Sequence, residues 1–162
     1  MGYGADIIGE SGRKLLTGIP KIQDPIIQLL PTMQAAVGDV TSEEFQNLAN
    51  TLSPGFFTQK SAECLPLIAE CTKALSKLPP VVPSTAALQR TWFSDMQSKL
   101  QKLQSNTFPG MEQNVLIVYN PLTEPAAKLT NLTAIISKLP AILADFVIMR
   151  NDMRKLKKAL RI

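Results

Sequence analysis

The sequence predicts an all-α protein, a compact bundle of six to eight helices in a single domain that spans residues 1–162. Turn residues divide the chain into segments of helical length, and nearly every segment repeats apolar residues at spacings of three and four. The one β-branched run, 115–119, has no second run to pair with, so we interpret it as a buried helix or an extended connector. Hydrophobic residues make up 45% of the 162, which is enough for one core.

The N-terminal part is predicted as two segments. Residues 1–18 contain five glycines and form either a flexible arm or a weak helix. A helix is expected from Pro20 to Val37, kinked or split at Pro25 and Pro31, because proline removes a backbone donor and clashes with the preceding turn. Further Pro-punctuated helices are expected over about residues 41–52, 58–78, 84–105 and 123–138.

The last helix, predicted over 140–162, closes the bundle and has a basic end. Its apolar residues alternate at spacings of four and three, which is typical of a helix that packs along a seam; they are Ile142, Phe146, Met149, Met153, Leu156 and Leu160. Six basic residues lie between positions 150 and 161, and Asp152 is the one acid among them. The six are Arg150, Arg154, Lys155, Lys157, Lys158 and Arg161. Because the net charge of +4 comes from this end alone, sequence-specific nucleic-acid binding is disfavoured.

Two short sequences recur and suggest an internal duplication. Asn50-Thr-Leu-Ser-Pro-Gly55 resembles Asn106-Thr-Phe-Pro-Gly110, and Ser76-Lys-Leu-Pro79 recurs as Ser137-Lys-Leu-Pro140. One interpretation is a duplicated three-helix unit. The other is that helical proteins reuse the same turn residues, and the sequence leaves both open.

The residue types exclude the commonest catalytic systems. The chain has no histidine, so it cannot build a Ser-His-Asp or Cys-His nucleophile or an imidazole metal site. Cys64 and Cys71 would lie about 10 Å apart along a helix, too far for a disulfide, unless the helix begins after Cys64. We therefore expect free, buried thiols, no metal, no cofactor and no enzymatic activity.

The compartment is left open, with a slight preference for a secreted protein whose signal has been removed. Low charge content, twelve prolines and the sequon Asn131-Leu-Thr133 favour secretion. Cysteines that are not expected to pair favour a reducing compartment such as the cytoplasm. The start of the chain lacks the pattern of a signal peptide, and no apolar run is long enough to predict a transmembrane helix.

Two functions fit these features, and the oligomeric state is left open. The first is a non-enzymatic protein that holds a lipid or another hydrophobic small molecule between its helices. Aromatic and methionine residues are its candidate pocket or core wall: Phe56, Phe57, Trp92, Phe93, Met96, Phe146 and Met149. The alternative is a structural or adaptor subunit whose apolar face and six basic C-terminal residues dock on an acidic protein partner or an anionic membrane surface.

Overall fold

A computed structural model describes residues 3–79 and 84–162, and the all-α prediction is confirmed for them. The helices are α1 (Tyr3–Ala36), α2 (Glu43–Asn47), α3 (Phe56–Lys77), α4 (Ser84–Lys102), α5 (Phe108–Tyr119) and α6 (Pro125–Leu160). A 3₁₀ turn, Leu48–Asn50, follows α2, and a π-helical turn, Leu103–Thr107, joins α4 to α5 without a break. No strand occurs in these two ranges.

The long helices form an antiparallel bundle with four members: α1, α3, the continuous rod of α4 and α5, and α6. α1 packs against α3 and α6, and the continuous rod of α4 and α5 packs against the same two helices from the opposite side. Near the start of α1, Ser11 donates a hydrogen bond to Glu70 near the end of α3, and Gly12 adjoins Leu160 and Ile162 at the end of α6. The start of α1 therefore lies beside the ends of both neighbours, so α1 runs antiparallel to α3 and α6.

The apolar stripes read from the sequence form the core. Along α1 the fully buried side chains recur at spacings of three and four, the period of one helix face: Leu15, Ile19, Ile22, Ile26, Leu29 and Met33. On α6 the predicted seam is confirmed, because its members from Ile142 to Leu156 are buried and Leu160 is half-buried against them.

The count of six to eight helices is not confirmed, because α2 is only five residues long and the other five helices of the described ranges are fewer and longer than expected, continuing through their prolines. Pro20, Pro25 and Pro31 lie inside α1, Pro66 inside α3 and Pro140 inside α6. An interior proline costs about 3 kcal/mol, and burial of a continuous apolar stripe offsets that cost. Residues 3–18, expected as an arm or weak helix, are the first half of α1, and residues 140–162 continue the second half of α6.

The internal duplication is not confirmed either. Ser76-Lys-Leu-Pro79 lies where α3 ends, whereas Ser137-Lys-Leu-Pro140 lies within the uninterrupted helix α6. Likewise, Asn50 belongs to the 3₁₀ turn and Asn106 to the π-helical turn. The recurring sequences therefore occupy different kinds of structure.

The start of α3 is held by a carboxylate from α5. Glu112 is buried, and its oxygens accept hydrogen bonds from the backbone N–H groups of Gly55 (2.8 Å), Phe57 (3.0 Å) and Thr58 (3.2 Å). The first N–H groups of a helix have no partner within it, and a negative charge is favourable there. Gly55 has a φ of 95°, a backbone conformation that glycine adopts without steric cost, and this lets the chain turn into α3.

Phe146→Ala is expected to lower the free energy of unfolding by about 3–5 kcal/mol, because the truncation leaves a cavity in a packed core. Phe146 is fully buried in the middle of α6, whereas its neighbour Val147 is 56% exposed. Urea denaturation measures the change, and Val147→Ala is the matched control, expected within about 0.5 kcal/mol of the parent. A cost below about 1 kcal/mol for Phe146→Ala would contradict the assignment of α6 to the core.

Candidate functional site

The residues predicted to line a ligand pocket lie in or against the core. Phe57, Phe93, Met96, Phe146 and Met149 are fully buried. Phe56 and Trp92 are half-buried and pack on the core from its edge. The surface groove described below is lined by other side chains, so these seven residues contact neighbouring core side chains and do not line it.

All six predicted docking cations are exposed on α6 and its C-terminal end: Arg150, Arg154, Lys155, Lys157, Lys158 and Arg161. The C-terminal end of α6 packs against α1. A Cβ added at Gly12 would lie 2.8 Å from Cδ1 of Ile162 and 3.3 Å from Cδ1 of Leu160, so the glycine provides the space these side chains occupy. Arg150 Nη1 also donates to Gln23 Oε1 at 2.9 Å. The basic residues are therefore presented from a fixed helix rather than from a loose tail.

Antiparallel packing gathers cations from other helices at the same end of the bundle, here called the basic end. It comprises residues 6–24 of α1, 70–77 of α3, 84–95 of α4 and 150–162. Its twelve basic residues are the six named above with Arg13, Lys14, Lys21, Lys73, Lys77 and Arg90. Its six acids are Asp6, Glu10, Asp24, Glu70, Asp95 and Asp152, so this end carries all of the net positive charge of the chain.

An exposed apolar surface on α1 and α6 adjoins the basic end. Val147 is 56% exposed, Ile148 43% and Ile27 43%, although all three are large apolar residues. Ile27 follows Gln23 by one turn and Val147 precedes Arg150 by one turn, so both lie on the same side of the Gln23–Arg150 contact. We call this surface the docking face and define it by Ile27, Pro31, Pro140, Ala144, Val147 and Ile148, which are all exposed and uncharged.

α6 is also the one helix of the described ranges that is long and apolar enough to cross a membrane by length and composition. Its most apolar window has a mean hydropathy of 1.8, and 33% of that window is buried in the fold. The buried part is the seam that packs against α1, α4 and α5. The outward part includes the α6 portion of the docking face.

Two carboxyl groups meet inside the basic end, between α4 and α6. Asp152 is only 7% exposed, and its carboxyl group can share a hydrogen bond with that of Asp95 when one of the two is protonated. Asp95 also pairs with Lys99 at 2.5 Å. Oδ2 of Asp152 is buried and has no other hydrogen-bond partner within the described residues. The sequence carried a signal that we missed: Asp152 lies one turn from both Met149 and Leu156, within the apolar seam.

The pKa values of Asp152 and Asp95 are shifted in opposite directions. Burial, followed by the hydrogen bond and the charge of Asp95, raises the pKa of Asp152 to about 7. Burial acts to raise the pKa of Asp95 as well, but hydrogen bonds with Asp152 and Lys99 and the charge of Lys99 outweigh it and lower that pKa. Below neutral pH the two groups therefore share one proton, which resides mainly on Asp152.

The cysteines and the sequon have ordinary structural positions. Cys64 and Cys71 are free and buried, as predicted, and burial together with the charges of Glu63 and Glu70 raises both thiol pKa values to about 12. Such thiols form little nucleophilic thiolate at neutral pH. Asn131 of the sequon lies inside α6 and donates to the carbonyl of Ala127 at 2.8 Å. Within residues 3–79 and 84–162, no three His, Cys, Asp or Glu side chains converge to hold a metal ion.

No protein-family profile, no curated protein and no solved structure matches this chain.

The buried carboxyl pair predicts a specific pH dependence of stability. An aspartate has a pKa of about 3.9 in an unfolded chain. Since the folded protein retains the proton on Asp152 up to a pH of about 7, this group's contribution to stability falls as the pH rises from about 4 to about 7. Asp152→Asn removes the charge, and we expect it to raise the free energy of unfolding at pH 8 by about 1–3 kcal/mol relative to its effect at pH 4.

Urea denaturation at a series of pH values measures this difference. Asp145→Asn is the matched control, because Asp145 lies on the same helix and pairs with Lys102 of the neighbouring rod at 3.8 Å. The free energy of unfolding of Asp145→Asn, relative to that of the parent, should not rise between pH 4 and 7. Parallel stability curves for Asp152→Asn and the parent across this range would contradict the shared proton.

Proposed function

We propose that this protein is a non-enzymatic peripheral subunit that docks on anionic membrane surfaces through the docking face and the adjoining basic end. The observation that carries the proposal is the juxtaposition on α6 of exposed apolar side chains, Val147 and Ile148, with exposed cations that begin at Arg150. Apolar side chains that enter the lipid interface and cations that contact its phosphates are the two components of interfacial helix binding.

The arrangement favours lying on a membrane over spanning it. Ile142, Phe146 and Met149 of α6 are buried against other helices, so the face available to lipid is a stripe and not a full circumference. The cations continue along the same helix immediately after the apolar stripe, at Arg154, Lys155 and Lys158. A helix that lies in the plane of the interface can place both parts at the depth each prefers.

A lipid held between the helices, the other function that the composition favours, receives less support. Its candidate wall residues pack in the core, and Phe57, Phe93 and Phe146 are fully buried. An internal ligand would require these side chains to separate. The docking face is already exposed, so surface binding requires no rearrangement of the core.

Flotation of the full chain with lipid vesicles tests the docking proposal. We expect the protein to bind vesicles that contain phosphatidylserine and not vesicles of phosphatidylcholine alone, with binding that weakens as salt is added. Replacing Arg154 and Lys158 with glutamine should weaken binding roughly 30-fold, since each surface cation contributes about 1 kcal/mol. The charge-matched control replaces Lys128 and Lys138, which lie outside the basic end, and should bind like the parent.

The apolar component has its own pair of variants. Val147→Asn should reduce vesicle binding several-fold, because it removes an exposed apolar side chain from the docking face. Leu122→Asn is the control, since Leu122 is 89% exposed in the connection between α5 and α6, away from that face. Equal vesicle binding by Val147→Asn and Leu122→Asn, or by the two charge variants, would contradict the proposal. Failure to bind phosphatidylserine vesicles would also contradict it and would favour an acidic protein partner.

A further inference from the structure

A groove of about 440 Å³ lies between the π-helical turn and α6, on a different part of the surface from the basic end. The rod of α4 and α5 contributes one wall: Lys102, Asn106, Thr107 and Gly110. Helix α6 contributes the other: Ser137, Lys138, Ala141, Ile142 and Asp145. The volume falls within the range of small-ligand sites in proteins.

The π-helical turn shapes this groove. A π turn closes its hydrogen bond one residue further along than an α-helix does, and here the N–H of Phe108 donates to the carbonyl of Leu103. A hydrogen bond joins this turn to α3, because the hydroxyl of Ser61 donates to the carbonyl of Gln104. Such turns are frequent at functional sites because the extra residue changes which side chains face a neighbouring helix.

The groove combines an available cation with an apolar floor. Lys138 Nζ would lie 4.0 Å from a Cβ added at Gly110, so its ammonium reaches across to the opposite wall. No carboxylate of the described ranges pairs with Lys138 within 4.0 Å, whereas Lys102 pairs with Asp145 at 3.8 Å. The exposed Ala141 supplies apolar surface beside the ammonium, and Ile142, which is 2% exposed, also borders the groove. Asn106 and Thr107 add neutral hydrogen-bonding groups.

We infer that this groove binds a small amphiphilic carboxylate, with the carboxylate on the ammonium of Lys138 and the aliphatic chain along Ala141 and Ile142. An ammonium without a carboxylate partner is complementary to a single negative charge, and the contact forms a charge-assisted hydrogen bond. An aliphatic chain can pack on the apolar side chains of the groove, because the contact removes apolar surface of both the ligand and the protein from water. This site does not depend on the docking face, because Lys138, Ala141 and Ile142 do not belong to that surface.

Octanoate is the probe, used with the full chain well below the concentration at which it forms micelles. Amide chemical shifts measured by NMR during the titration should saturate and should change around residues 106–110 and 137–142. Lys138→Gln should weaken octanoate binding about five- to tenfold, as expected for loss of one charge-assisted hydrogen bond at an open site. Lys128→Gln is the matched control, on the same helix about three turns away, and should leave the affinity unchanged.

Two further arms separate the carboxylate from its alternatives. Octanol has the aliphatic chain without the charge. Its affinity for the parent should be no higher than the affinity of octanoate for Lys138→Gln. Inorganic phosphate should not produce the same pattern of shifts, because it lacks the chain. Ala141→Trp replaces an exposed residue and fills the groove, so it should abolish octanoate binding while the protein remains folded.

Four results would overturn the inference. They are the absence of saturable octanoate binding, shifts confined to other parts of the chain, equal affinity for octanol and octanoate, and equal octanoate affinity in Lys138→Gln and the parent. Binding of inorganic phosphate with the same shifts would also overturn it, in favour of a simple anion site. Vesicle binding by Lys138→Gln is measured alongside, so failure of this site is distinguishable from failure of membrane docking.

Discussion

The architecture depends on the junction at which α5 supports the start of α3. The carboxylate of Glu112 accepts three N–H groups from the first turn of α3, at 2.8–3.2 Å, and so replaces the partners that this turn lacks. In the same turn, Phe57 stacks on Phe108 with ring centroids 5.9 Å apart, and one turn later the hydroxyl of Ser61 donates to the carbonyl of Gln104. These three contacts fix α3 against both ends of the π-helical turn, which in turn sets the shape of the groove beside α6.

Antiparallel packing determines where the charges lie. α1 begins, and α3 and α6 end, at the same end of the bundle, so cations that are far apart in the sequence share one surface. Most of them are exposed and separated by water, and the repulsion between such charges is weak at physiological ionic strength. The docking face meets this basic surface at the Gln23–Arg150 contact, which joins α1 to α6. The proposed membrane-binding surface is therefore a property of two helices rather than of the C-terminal segment alone.

The Asp95–Asp152 pair places a proton-dependent contact inside the basic end. The pair joins α4 to α6, and Lys99 and Lys155 both act to lower the pKa of Asp152. Burial and the neighbouring carboxylate outweigh these two cations, and the pKa of Asp152 is about 7. The seam between these helices is thus most stable while Asp152 keeps its proton, even though cations surround it on the surface.

Periodicity made the helical class and the seam of α6 from Ile142 to Leu156 predictable, because a side chain's spacing along a helix decides which face it shares. Free, buried Cys64 and Cys71 were predictable for a similar reason, since seven residues of helix separate them too far to pair. Local rules failed at Pro25, Pro31 and Pro140, where burial of a continuous apolar stripe outweighs the cost of a missing hydrogen bond. The partnership of Asp152 with Asp95, the role of Glu112 and the groove at Lys138 each join residues from different helices, and no spacing along one helix encodes a contact that packing between helices creates.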